Sequence, residues 1–466
     1  MNAKGGSGKT VLVAGVVLIL LAGLVFAILG ALGTFKSAKI LPPATFTVFY
    51  TCDTRGHIEP CGCASGMAGG ISRRKKHLAK STPTDYLLVD AGDVAAGPRE
   101  WEILELEYLL KGYQQMGYHA VNIGHREISL SFDALNAIKQ QYDRFVSANV
   151  LGPDGQPVFA PYLVTSFSNG CRCAIIGVAD DELTPDQIGK GLRVAPLADA
   201  LTKYMPQLKK EADYIVVLAF MDETKMKALA ARFFEADLIV GGKVLQASGD
   251  PVRQNQSVIV YNTDKGKMVG RLDIFRNPQG QYEYRNDFTV LKESMKRDPQ
   301  IVSLIEDFKE QLKQRDFRPH KDDEEGLSSI TASRSKTANR YIGPQNCQSC
   351  HKKAHSVWLK SRHARALETL EQKEHQYNPR CLQCHTVGYM ASDGYINQKL
   401  TPKLKDVSCE SCHGRGDYHA KKRMGEQLPV KRVIMKTPNC GDCHDQDNSP
   451  NFDKAKYWEK IAHGKD

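Results

Sequence analysis

The chain has 466 residues, a quarter of them charged and 41% hydrophobic, with a formal net charge of +10. That length is too great for one ordinary core, so two or three folded units are expected. Eight of the thirteen cysteines form four C-x-x-C pairs near the C-terminus, and four identical short spacings are not explained by a disulfide framework.

Residues 1–10 read as a short cytoplasmic N-terminus. Val11 to Gly33 is a run of 23 residues without a charge. As a helix it would span about 34 Å, enough to cross a hydrocarbon core. Lys4 and Lys9 precede it, and Lys36 and Lys39 follow, so flanking charge alone does not orient it. A cleaved signal peptide is the alternative, but its apolar region would be unusually long, and the run reads as an uncleaved anchor. Lys4-Gly-Gly-Ser-Gly-Lys9-Thr10 has the letters of a phosphate-binding loop. Such a loop needs a strand before it and a soluble helix after it, and neither is available here.

From residue 44 to 291 strand and helix patterns alternate. Phe46–Tyr50, Tyr86–Val89, Ala120–Ile123, Phe145–Ala148, Ala174–Val178, Tyr214–Ala219 and Leu238–Val240 are short apolar runs that read as buried strands. Glu102–Met116, Leu197–Glu211 and Glu223–Glu235 read as helices, giving a layered α/β domain. Ser257–Thr263, Gly270–Phe275 and Tyr282–Val290 read as an antiparallel finish. Gly66–Gly70 followed by Arg73-Arg74-Lys75-Lys76 could form an anion-binding turn, but a basic helix start facing solvent is the commoner arrangement. Residues 292–340 hold an amphipathic helix, Pro299–Arg315, and a polar linker.

Residues 341–466 hold Cys347-Gln-Ser-Cys350-His351, Cys381-Leu-Gln-Cys384-His385, Cys409-Glu-Ser-Cys412-His413 and Cys440-Gly-Asp-Cys443-His444. In a helical turn, positions i, i+3 and i+4 share one face. Two thiols can therefore form thioethers with one porphyrin while the next imidazole ligates its iron. Zinc ribbons also use C-x-x-C pairs, but they do not require the histidine that all four motifs carry. The expectation is four covalently bound haem c groups, with His351, His385, His413 and His444 as proximal ligands. Distal candidates are His355, His363, His375, His419 and His463, with His320 just before the segment. This segment has 21 Lys/Arg against 14 Asp/Glu. Haem propionates would answer most of that surplus, so nucleic acid is not an expected partner. A segment of 126 residues has a radius of gyration of about 14 Å. The porphyrins must then be near neighbours and much of the core, in a mainly α, haem-packed domain. Haem c is attached on the outer side of the energy-transducing membrane, so the domains should face the periplasm from a single-pass inner-membrane anchor.

Tyr341-Ile-Gly-Pro-Gln-Asn-Cys347, Trp358-Leu-Lys-Ser361-Arg-His363-Ala364, Cys409-Glu-Ser-Cys412-His413-Gly-Arg-Gly-Asp-Tyr-His419 and Tyr457-Trp-Glu-Lys-Ile-Ala-His463-Gly resemble the tetrahaem cytochrome c-554 family. The resemblance implies His363, His419 and His463 as distal ligands, each serving a haem other than its sequence neighbour. It also implies one five-coordinate haem beside three bis-His haems. Whether His355, His375 or neither fills the fourth site is left open.

The layered segment resembles the metallophosphoesterase domain of the 5'-nucleotidase family. The resemblance rests on Tyr50-Thr-Cys-Asp53-Thr-Arg-Gly56-His57, Val89-Asp-Ala-Gly92-Asp93, Asn122-Ile-Gly124-His125-Arg126-Glu127, Val217-Leu-Ala-Phe220 and Asp237-Leu-Ile-Val-Gly241-Gly242-Lys243. That family holds two metals. Asp53 and Asp93 match its aspartates. Arg55 stands in place of a histidine, His125-Arg126 in place of Asn-His, and Phe220, Lys243 and Leu245 in place of histidines. The implied site is vestigial at Asp53, Asp93 and His125, because Arg and Lys add positive charge where cations would sit. Cys52, Cys61, Cys63, Cys171 and Cys173 are structural cysteines, a disulfide, a thiolate metal site or a redox-active pair, the structural reading being preferred.

These observations favour an electron-transfer protein that links redox proteins or a membrane electron-transfer complex. The layered domain would serve as a docking platform or as a scaffold that places the haems. The competing reading is an enzyme acting on a small nitrogen or sulfur compound at an open haem or at the cysteine-bearing loop. A working phosphoesterase ranks below both.

Overall fold

Phe46, Val48 and Tyr50 turn toward one apolar core and Phe49 toward another, the period-2 pattern of a strand buried on both faces. This strand, β1 (Phe46–Thr51), opens the layered domain. The computed structural model describes residues 45–60, 67–263, 265–315, 317, 339–437, 439–445, 448–449 and 451–464, within one compact unit, Thr45–Asp466. The Val11–Gly33 run, Cys61, Cys63, His320 and most of the linker lie outside the described residues. Among the described residues no helix is long and apolar enough to cross a membrane.

In chain order the next strands are β2 (Tyr86–Asp90), β3 (Ala120–Asn122), β4 (Phe145–Val146), β5 (Val150–Leu151), β6 (Tyr162–Ser166), β7 (Arg172–Ala179) and β8 (Arg193–Val194). They are followed by β9 (Tyr214–Phe220), β10 (Leu238–Gly241), β11 (Val252–Gln254), β12 (Ser257–Tyr261), β13 (Met268–Arg276) and β14 (Tyr282–Val290). One six-stranded sheet runs β14-β13-β1-β2-β3-β4, a second runs β11-β12-β10-β9-β7-β6, and β5 pairs with β8. Inward side chains of both sheets, among them Val48, Leu87, Ile175, Val216, Val240 and Leu272, meet in a shared core. Helices Ile71–Ser81, Glu100–Met116 and Phe132–Gln141 cover the outside of the first sheet, and Leu197–Glu211 and Glu223–Arg232 cover the second. The result is a four-layer α/β sandwich.

Three local expectations change. Ser257–Tyr261 does not belong to an antiparallel finish: it runs parallel to β10, and the short β11 pairs antiparallel with it. The helix Ile71–Ser81 does not simply present its basic start to solvent. Arg74 is fully buried, with Nη1 donating to the Tyr113 and Tyr118 hydroxyls at 2.9 and 3.0 Å. Helix Pro299–Arg315 is part of the layered domain's outer layer. Its Ile301, Ile305, Phe308 and Leu312 stripe packs into the same core as helices Ile71–Ser81 and Glu100–Met116.

The segment from residue 339 is built of short helices around seven buried apolar side chains, among them Leu367, Leu382, Tyr389 and Leu404. So small a side-chain core suits a domain whose interior is completed by porphyrins.

Candidate haem sites and the altered metal site

Each haem motif starts on a helical turn, and the second and third lie wholly within one helix. Cys347 lies in the Gln345–Gln348 helix, the second motif in Pro379–His385, the third in Cys409–His413, and Cys440 starts a 3-10 turn at Cys440–Asp442. Asn378 caps the second of these, accepting from the Arg380 N–H at 2.9 Å, with Pro379 at the first helical position.

The structure brings three motif histidines opposite a second imidazole. Ring centres are 6.0 Å apart for His351 and His419, 6.1 Å for His444 and His363, and 6.0 Å for His413 and His463. Two metal–nitrogen bonds of about 2 Å, plus the two ring radii, total about 6 Å. These pairs are therefore spaced to hold an iron between them, and the residues fit haem. His385 donates from Nδ1 to the Ala366 carbonyl at 2.7 Å, and His444 Nδ1 meets Ser449 Oγ at 2.9 Å, the kind of outer hydrogen bond that a metal-ligating imidazole makes. Burial, then a neighbouring imidazole, lowers the pKa of His363, His413, His419 and His444, favouring the neutral, ligating form. His355 packs on Trp358 at 5.3 Å, and His375 is placed beside Lys309 and Lys373. Neither faces His351, His413 or His444.

Thiols of different motifs meet. Cys347 contacts Cys409, Cys443 contacts Cys384, and Cys412 is near Cys440 and Cys443. The motifs thus follow the spatial order first, third, fourth, second. Glu410, inside the third motif, was not picked out by sequence reasoning, since a variable position of C-x-x-C carries no signal. Buried, it accepts from the N–H groups of Ile342, Gly343 and Gly416 at 2.7–3.0 Å, tying the start of the segment to the turn before His419.

In the layered domain, Asp53 follows β1 and Asp93 follows β2. Both are buried and left-handed, with φ of 56° and 58°, a conformation that costs energy outside glycine. Arg55 Nε donates to the Asp53 carboxylate. The Arg126 N–H donates to Asp93 Oδ1 at 2.9 Å, and its guanidinium lies 3.7 Å from Oδ2. A third carboxylate, Asp180 at the end of β7, meets Lys225 Nζ at 2.6 Å, Lys243 Nζ at 3.2 Å and His125 Nε2 at 3.7 Å. Sequence reasoning missed Asp180; its position just past a buried strand was the available signal. Burial alone would raise its pKa, but the neighbouring His125 imidazole and the hydrogen bonds from Lys225 and Lys243 hold it well below the usual carboxylate range. Burial, then the Glu127 carboxylate, pushes Asp93 up. Phe220 packs edge-on against His125 at 5.5 Å. Each acid of this site already has a cation of the chain as its counter-charge, a disposition that disfavours two divalent ions. Among the described residues no group of three or more His, Cys, Asp and Glu is disposed to hold a metal.

Cys52 and Cys173 line the core between the sheets, with Cys171 against it. The Cys52 thiol donates to the Asn262 carbonyl at 2.7 Å. Burial pushes the Cys52 and Cys173 thiols well up, which marks them as inert rather than nucleophilic.

Fold and motifs together define a c-type cytochrome joined to a layered domain of the phosphoesterase kind. Residues 346–414 match the family "Cytochrome c554 and c-prime", which implies covalently bound haem c. Cytochrome c-554 of Nitrosomonas europaea is 29% identical over 149 residues, covering 25% of this chain and 63% of that protein. A 5'-nucleotidase of Vibrio cholerae is 27% identical over 237 residues, covering 43% of this chain and 41% of that protein. The NAD nucleotidase of Haemophilus influenzae shares the layered fold, with a TM-score of 0.50 and 16% identity over 58% of this chain and 60% of that one. The chain thus spans less than two thirds of each of these proteins. It joins a 5'-nucleotidase-like domain to a haem segment that is similar to the cytochrome c554 family.

Proposed function

We propose that this protein is a four-haem electron relay, anchored in the inner membrane by Val11–Gly33, with its domains in the periplasm. The observation that carries the reading is the set of three imidazole pairs at 6.0–6.1 Å, each built from a motif histidine and a histidine remote in sequence. Bis-His iron is closed to ligands and exchanges electrons with little rearrangement. The motif order first, third, fourth, second supplies an unbroken path from one end of the domain to the other. The relay would take electrons from one redox protein or membrane complex and give them to another. The layered domain serves it without hydrolysis, because Arg55, Arg126, Lys225 and Lys243 occupy the charge positions of metals.

The test is iron and haem counting on the purified membrane fraction, with spectra of the reduced protein under carbon monoxide. Four haems per chain, no other transition metal and a spectral shift confined to at most one haem, without turnover, support the relay. A second kind of metal, or a haem that binds carbon monoxide and turns over a small nitrogen or sulfur compound, would replace it with an enzyme.

A further inference from the structure

Arg380 immediately precedes Cys381, and its guanidinium enters the layered domain. Nε and Nη2 donate to the two carboxylate oxygens of Glu105 at 2.9 and 2.6 Å. Nη2 also donates to the Arg55 carbonyl at 3.3 Å, and the guanidinium carbon lies 5.6 Å from the Trp101 ring centre. Glu105 is 2% exposed. Gly56 keeps the socket open: its φ is +75°, and a Cβ there would lie 2.5 Å from both Arg380 and Glu105. The socket is therefore made of the loop after Asp53 and the first turns of the Glu100–Met116 helix. Exposed ion pairs contribute little, but a bidentate pair on a buried carboxylate fixes both geometry and charge. The second motif is also one end of the spatial order of the motifs.

We propose that Glu105 and Arg380 form a fixed charge pair through which the layered domain positions the second haem motif and sets the reduction potential of the haem held there. The layered domain is then a working part of one terminus of the relay. This rests on haem attachment at Cys381 and Cys384. Reduction removes one positive charge from the iron centre, so a nearby negative charge opposes it and a positive charge favours it.

The test is a spectroelectrochemical titration of full-length haem-loaded protein. Burial pushes Glu105 up to about 7 despite Arg380, and loss of Arg380 raises it further. Wild type and E105Q are therefore titrated at about pH 8.5, where the wild-type carboxylate is ionised, and R380Q over a series of rising pH. E105Q should raise the midpoint of one haem, R380Q should lower the same midpoint, and E105Q/R380Q should return it toward wild type. The other haems should hold their values. Shifts of the same sign in both single variants, or shifts spread over all haems, would overturn the proposal by reducing the pair to a structural latch. If E105Q does not accumulate, R380Q is compared with R380K, which keeps the charge. A lowered midpoint in the first and a near-native one in the second supports the pair, and equal shifts overturn it. Mass spectrometry of wild type separates the two readings, since unmodified Cys381 and Cys384 would remove both the inference and the relay's fourth haem.

Discussion

His444 stands 6.1 Å from His363, ring centre to ring centre, although more than half of the haem segment separates them in sequence. Replacing His363 by alanine should free one axial position and convert one low-spin haem to high spin. Electron paramagnetic resonance of the oxidised protein would show a new high-spin signal. H419A and H463A should each do the same to a different haem. A variant that keeps every haem low-spin would remove its histidine from the ligand set.

The sequence-level and structural accounts agree where the chemistry is local. The C-x-x-C-H spacing is a local pattern, so the four motifs and the histidine that ends each of them were legible directly. The buried strands β1, β2, β7, β9 and β10 were legible as apolar runs, within a residue or two at their ends. What was not legible depends on long-range placement. Ser257–Tyr261 has the composition of any buried strand, and nothing local tells it to run parallel to β10. Arg74 lies in a run of four basic residues, and only the tyrosines brought by the Glu100–Met116 helix and the turn after it make it a core residue. Spacing alone did not separate His355 from His363, and only the resemblance marked His363 as a distal ligand; packing put one on Trp358 and the other opposite His444.

Arg74 anchors a buried polar network beside the altered metal site. It donates to Tyr113, Tyr118 and Thr54, Tyr113 donates to Asp90 at 2.9 Å, and the two tyrosine rings stack at 4.0 Å. Arg74→Met keeps the length but removes the donor to the Tyr113, Tyr118 and Thr54 hydroxyls and the buried cation that Tyr113 links to Asp90. A hydrogen bond to a charged group is worth about 1.5–3 kcal/mol. The layered domain's unfolding transition should fall accordingly in calorimetry, with the haem spectrum unchanged. A loss below about 1 kcal/mol, the range of exposed ion pairs, would show that the network is dispensable.

Two half-buried histidines make stability depend on pH. Burial, then Arg380 and Lys265, lowers His57 to about 3, and burial, then Lys309 and Lys373, lowers His375 to about 4. Both sit near 6.5 in the unfolded chain. Below about pH 6.5 the unfolded state therefore binds protons that the folded state refuses. Their contribution is fully present above that pH and is lost as pH falls toward 4 and 3. Urea midpoints should drop between pH 7 and pH 5, and H57Q/H375Q should flatten the drop. An unchanged slope in the double variant would assign the dependence to other groups.

The altered metal site gives the last prediction. Asp53, Asp93 and Asp180 are each already paired with arginine or lysine, and Asp53, Arg55, Asp93 and Lys243 all hold left-handed backbone. Two of the three aspartates thus sit in left-handed turns, and the counter-charge of all three is supplied by the chain itself. A metal bound only by the folded state, present at a hundred times its dissociation constant, would stabilise the domain by about 2.7 kcal/mol. Manganese or zinc should therefore leave the layered domain's melting temperature unchanged, and hydrolysis of an aryl phosphate should stay at background with either ion. R55M/R126M, which strips two internal cations, should lower stability, because it leaves Asp53 and Asp93 buried without their partners. A metal-dependent rise in melting temperature of the wild-type protein would show that the cations yield to a metal ion and would reopen the phosphoesterase reading.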